Sequence, residues 1–288
     1  MLLLALACAA PPRLLTEPDA ARDGAPGADG AYGAAAIDRT YAARVTDTVA
    51  TTVVYPSDTD GALAATNLPI VVFVQGGFVN PARYEWLAAH FATRGMLVAL
   101  PAHDLALGLF SAGNASAALD GLLADAAGNG PLAGAASADS PALIGGHSLG
   151  GTTSALAWVD DDRFAGLFLA ASYPASDTDV AARGDAPVLA LVGSADGLSD
   201  PDTVAENLVT LGTPLGVVEG LNHYGWTDDA SERDLASDGA TDRPVPDARA
   251  DLLVVVDTWT EAVFVGDADA LAALPATPFE GVTFRESR

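Results

Sequence analysis

Short, almost wholly apolar runs recur between stretches that read as helices, and they constrain this chain more than any other feature. Residues 68–75, Leu-Pro-Ile-Val-Val-Phe-Val-Gln, leave no polar face, which marks a strand buried on both sides. Residues 96–100 are a second such run, ended by Pro101. Residues 141–145, 164–170 and 188–192 follow, and 215–219 is the last strand the pattern predicts. Helices are expected over 80–94, 115–127, 149–158, 201–211 and 247–265. Asn80-Pro81 supplies an N-cap and a first helical residue, and Pro246 precedes the final helix. Buried strands alternating with helices specify an α/β chain: a mostly parallel central sheet with helices on both faces. The β-rich runs 41–45 and 48–55, separated by Asp47, read as a hairpin at the sheet edge.

The 288 residues suffice for one large domain, assigned to residues 38–265. Residues 1–37 read differently. Leu2-Leu3-Leu4-Ala5-Leu6-Ala7 precedes Cys8, the single cysteine, so no intrachain disulfide can form. This resembles the end of a bacterial lipoprotein signal peptide, although no positive charge precedes the apolar run. The expectation is a clipped export signal, with Cys8 as a lipid anchor at the cell envelope, the alternative being a cytoplasmic enzyme. Residues 11–36, rich in Ala, Pro, Gly and Asp, read as a flexible tether, and 266–288 as a C-terminal tail. Thirteen basic residues, all arginine, face 38 acidic ones, a net charge of −25. Such a surface repels nucleic acid and excludes it as a partner. It suits a saline habitat, where screening removes self-repulsion; GC-rich codon usage produces the same bias.

The chemistry centres on Gly146-His147-Ser148-Leu149-Gly150, between a predicted strand and a predicted helix. A serine between glycines at that junction suits a nucleophile elbow, where the turn is too tight for larger neighbours. Serine attacks only if a histidine takes its proton and a carboxylate orients that histidine. The chain has four histidines, and only His223 follows Ser148, just past a predicted strand. Asp196 ends the 188–192 strand and is the first candidate for the acid. Asp200 and Asp202 are alternatives, or caps of the helix beginning near Pro201. The oxyanion needs two amides. Leu149 offers one at the helix start, and Phe78 the other, with Gly77 close behind in the Gly76-Gly77-Phe78 loop. Gly77, His103, Tyr173, Tyr224 and Trp226 fall on loops at the same predicted edge and are candidate substrate contacts. His147 is assigned a structural role and His90 a surface position on a helix. The acidic runs at 58–61 and 160–162 read as solvated turns rather than calcium loops.

With Ser148, Asp196, His223 and the Gly-Gly-Phe loop in place, residues 41–265 resemble the α/β-hydrolase superfamily. The lidless dienelactone-hydrolase-like, cutinase-like and platelet-activating-factor-acetylhydrolase-like branches are the most similar. Residues 171–186 are too few for a large cap domain, so the site should be open, and 228–246 reads as an acidic surface loop. The resemblance implies a serine carboxylic-ester hydrolase that forms an acyl-enzyme on small-molecule or polymeric esters and needs no metal or organic cofactor. Amidase, peptidase or acyltransferase chemistry on the same residues, or a surface-tethered binding lipoprotein without turnover, are the alternatives.

Overall fold

A computed structural model describes residues 11–43, 47–103 and 112–287; Cys8 and the end of the 41–45 run lie outside them. The first strands are β1 (Arg13–Thr16), β2 (Gly33–Ala43), β3 (Asp47–Ser57) and β4 (Ile70–Val74). Helix α1 (Glu85–Thr93), strand β5 (Leu97–Pro101) and helix α2 (Ala112–Ala127) follow. Next come β6 (Ala142–His147), α3 (Leu149–Asp160), β7 (Phe164–Ala170) and β8 (Val188–Gly193). The chain continues through α4 (Pro201–Asn207), β9 (Leu215–Val218), α5 (Glu232–Ala236) and α6 (Val245–Val265). It ends with α7 (Ala268–Ala273) and β10 (Val282–Arg285).

The strands form one sheet in the order β1-β2-β3-β5-β4-β6-β7-β8-β9-β10. From β5 to β9 neighbours run parallel, and antiparallel strands flank this block on both sides. Every residue of β4, β5 and β6 is buried. Because successive side chains point to opposite faces, both faces must be covered. α1 joins α6 through the buried His90 and Asp257, α2 packs against α3, and all four helices contact the sheet. Among the described residues no helix is long and apolar enough to cross a membrane.

The central expectations hold, while the outer ones need correction. The chain from Arg13 onward is not a tether. β1 pairs with β2 outside the expected hairpin, and Ala34, Ala35 and Ala36 are fully buried. The small residues there answer a close approach: a side chain on Gly30 would collide with the Thr93 carbonyl at the end of α1. The stretch 266–288 is not a free tail either. It supplies α7 and then β10, which pairs antiparallel with β9 and so displaces 215–219 as the last strand. His90 is not at the surface. It is 4% exposed, with Nε2 2.9 Å from Asp257 and Nδ1 3.1 Å from Asp29.

Candidate active site

β6 runs into α3 through Ser148, whose backbone sits at φ 54°, ψ −125°. A residue with a β-carbon pays about 1–3 kcal/mol for such a conformation, so the surroundings must enforce it. They do so from three sides. The Ser148 amide donates to the Ala170 carbonyl at 2.9 Å, while the Ser148 carbonyl accepts from the Ser172 hydroxyl at 2.6 Å and the Gly151 amide at 2.9 Å. Sterics explain the flanking glycines. A side chain on Gly146 would enter the Gly150 carbonyl, and one on Gly150 would enter the carbonyls of Val74 and Gln75 at the end of β4.

Beside the elbow, Gly76 to Val79 form a turn closed by a 3.3 Å bond from the Val79 amide to the Gly76 carbonyl. Phe78 occupies the left-handed region at φ 61°, and the residue is 82% exposed. Gly77 lies against Leu149: a β-carbon on it would be 3.4 Å from the Leu149 side chain. Among the described residues, neither the Phe78 nor the Leu149 amide has a hydrogen-bond partner. Leu149 is the first residue of α3, where unpaired amides and the helix dipole favour an anion.

Asp196 lies just past β8. Its carboxylate accepts the Leu198 and Ser199 amides at 2.9 and 2.6 Å and meets His223 Nδ1 at 2.9 and 3.0 Å. Both residues are buried, at 6% and 5% exposure. With Nδ1 committed to Asp196, Nε2 is the ring nitrogen left for exchange outside the pair. The His223 ring also packs on that of His147, centroids 4.5 Å apart, which brings it to the residue before Ser148. Asp200 caps α4 through the Asp202 and Thr203 amides, and Asp202 pairs with Arg285, so neither approaches His223 as Asp196 does.

The loops carrying the acid and the base are tied together by groups that sequence reading missed. Asp238, within the stretch read as an acidic surface loop, accepts the Gly197 amide at 2.9 Å and the Tyr224 amide at 2.8 Å. It therefore bridges the residues that follow Asp196 and His223. Arg249 of α6 donates to the Gly225 and Thr227 carbonyls, and Arg83 to the Asp228 carbonyl. Below the elbow, Tyr84 bonds to both Gly76 and His147. His147 is fully buried, and that burial first, then the neighbouring His223, holds it well below the usual histidine range.

The expected substrate contacts divide. Gly77, Tyr173 and Tyr224 are half-buried, with the Tyr224 ring edge-on to His223 at 5.6 Å. Trp226 and His103 are corrections. Trp226 is fully buried, its ring stacked 6.3 Å from His147, because His223–Trp226 is a turn of 3-10 helix in which residues three apart share a face. His103 is 7% exposed, and its Nε2 bonds the Gln75 carbonyl at 2.8 Å, bracing the ends of β4 and β5. Among the described residues, no group of three or more His, Cys, Asp or Glu side chains is arranged to hold a metal. The Asp58 carboxylate accepts amides of its own loop, from Asp60 and Ala62.

No curated protein matches the chain. A family model described as the alpha/beta hydrolase family matches residues 70–234, more than half of the chain, from the first residue of β4 to a point within α5. That span takes in the Gly-Gly-Phe turn, the elbow, Asp196 and His223, on a mostly parallel sheet of the matching kind. The chain belongs to the alpha/beta hydrolase family.

Proposed function

We propose that the protein is a serine hydrolase of carboxylic esters, with Ser148 as nucleophile, His223 as proton carrier and Asp196 as the group that orients it. The observation that carries this reading is the Asp196–His223 pair, bonded at 2.9 Å, packed against the residue preceding a strained serine. Ser148 Oγ adds to the ester carbonyl carbon while its proton passes to His223 Nε2. The carbonyl π electrons move onto oxygen, and the Phe78 and Leu149 amides receive that oxyanion. Collapse of the adduct breaks the bond to the alcohol oxygen, which leaves with the proton from His223. Water then gives a proton to His223 and attacks the acyl-enzyme; the acid departs and Ser148 is regenerated. Asp196 fixes the tautomer that leaves Nε2 free to accept, and it offsets the imidazolium charge.

The half-buried Gly77, Tyr173 and Tyr224 and the exposed Phe78 ring are the surfaces that would hold the acyl or alcohol part. A fluorophosphonate probe tests the reading. It is expected to label Ser148 stoichiometrically, with labelling lost in Ser148→Ala and strongly slowed in His223→Ala. Equal labelling of all three proteins would overturn the assignment.

A further inference from the structure

Tyr84 ends a short 3-10 turn, Pro81–Tyr84, whose cap is Asn80. Its side chain turns inward, 1% exposed, with the ring against Phe73 and His147. The hydroxyl oxygen receives the Gly76 amide at 2.9 Å and lies 2.9 Å from His147 Nδ1. The oxygen is thus already an acceptor, and its own proton has one acceptor among the described residues, His147 Nδ1. Nε2 of His147 has no partner among the described residues, so either arrangement leaves one buried donor unmet: the Nε2–H here, or the phenol proton in the reverse, which leaves the Nε2 lone pair unmet as well and is therefore the costlier. Tyr84 therefore donates to Nδ1, and His147 carries its proton on Nε2.

These two bonds join the two parts of the site that must keep register. Gly76 begins the turn that presents the Phe78 amide, and His147 immediately precedes Ser148. We infer that Tyr84 is a positioning residue whose hydroxyl couples the oxyanion loop to the nucleophile elbow. The inference rests on the serine-hydrolase reading of Ser148 and of that loop. The space is fully used: a β-carbon on Gly76 would lie 2.9 Å from His147 Nδ1 and 3.1 Å from the Tyr84 oxygen. Without the hydroxyl, the Gly76 amide loses its buried partner, and the 3.3 Å Val79–Gly76 bond is left to hold the turn against the strain at Phe78. The same bond occupies Nδ1 of the imidazole that packs on His223, and burial keeps that imidazole neutral beside the proton carrier.

The test is Tyr84→Phe in the full chain, with p-nitrophenyl butyrate as substrate and Ser148→Ala in parallel. The expected result is a kcat lowered ~10- to 100-fold with KM within about twofold of wild type, the mark of an interaction lost in the transition state. Nitrogen-15 NMR of the His147 ring supplies a readout that needs no turnover. Wild type should show the Nε2–H tautomer with unprotonated Nδ1 at neutral pH, and the Nδ1 resonance should move in Tyr84→Phe. Gly76→Ala keeps every hydrogen-bonding group but wedges the turn away, so it should show the same loss of kcat; it carries the test if Tyr84→Phe does not fold. Folded variants with wild-type kcat, beside an inactive Ser148→Ala, would overturn the role of Tyr84 and leave the hydrolase reading standing. Wild-type turnover in Ser148→Ala would overturn that reading and this inference with it.

Discussion

Two residues at the site stand at positive φ where a side chain is disfavoured, Ser148 and Phe78, and they are strained for different reasons. Ser148 is held by its neighbours on β7 and α3. Phe78 is largely in water, so its side chain does little for the fold. Phe78→Gly removes the steric penalty but frees the unfolded chain, and the two terms are of similar size. Its stability should stay within about 1 kcal/mol of wild type, against the roughly 3–5 kcal/mol lost when a packed phenylalanine is removed. KM for hydrophobic esters should rise in the same variant. A melting curve displaced by many degrees would mean that the ring is packed after all. The strained junction at Ser148 and the Asp196–His223 pair were legible because the pattern restricts residue type and order: a serine between glycines, one histidine after it, an aspartate ending the preceding strand. Tyr84, Ser172 and Asp238 were not, since each acts through a bond to a residue distant in sequence. The loop position of Trp226 suggests exposure, whereas the 3-10 turn directs it inward.

Among elements, the central strands were legible because burial on both faces leaves them uniformly apolar. The outer ones were not: β1 and β10 are four residues each with partly exposed faces, and β2 opens with Gly-Ala-Ala-Ala, poor strand formers that read as linker. The segment between β1 and β2 is instead strapped to α1 and α6. Arg94 donates to the Gly24, Ala25 and Ala28 carbonyls, Asp257 accepts the Gly27 amide at 2.7 Å, and His90 lies between Asp29 and Asp257. Arg94 also pairs with Glu261 and approaches Asp257 at 3.4 Å. Burial alone would lower the His90 pKa, but the bonds to Asp257 and then Asp29 raise it above the usual histidine range. The bond to His90 in turn lowers the Asp29 pKa. A raised folded-state value means that the His90 contribution is complete below the ordinary histidine pKa and is lost as pH climbs through the raised one. The Asp29 contribution is present above the ordinary carboxylate pKa and is lost on acidification. The strap should therefore be firmest between these limits. Denaturation midpoints of wild type should fall as pH rises above neutrality, with proteolysis near Gly27 increasing, and His90→Gln should remove that slope. A slope unchanged in His90→Gln would place its origin elsewhere.

For the whole molecule, charge is the dominant feature. Most of the described arginines already engage carboxylates, which leaves a large excess of unpaired acidic groups. Their mutual repulsion acts over about 10 Å at 0.1 M salt and about 3 Å at 1 M. The melting temperature should accordingly rise from low to molar sodium chloride, and a value that is flat or falling would show that repulsion does not limit stability. The parallel strands of the sheet end together, which places Ser148 after β6, Asp196 after β8 and His223 after β9 at the same edge. The measurement that tests this arrangement most directly is hydrolysis of p-nitrophenyl esters, from acetate to long acyl chains, by wild type and by Ser148→Ala. Turnover by wild type that vanishes in Ser148→Ala is the predicted result, with the chain-length profile reporting the acyl preference. Folded wild-type protein that hydrolyses none of these esters, or a Ser148→Ala variant as active as wild type, would contradict a serine ester hydrolase.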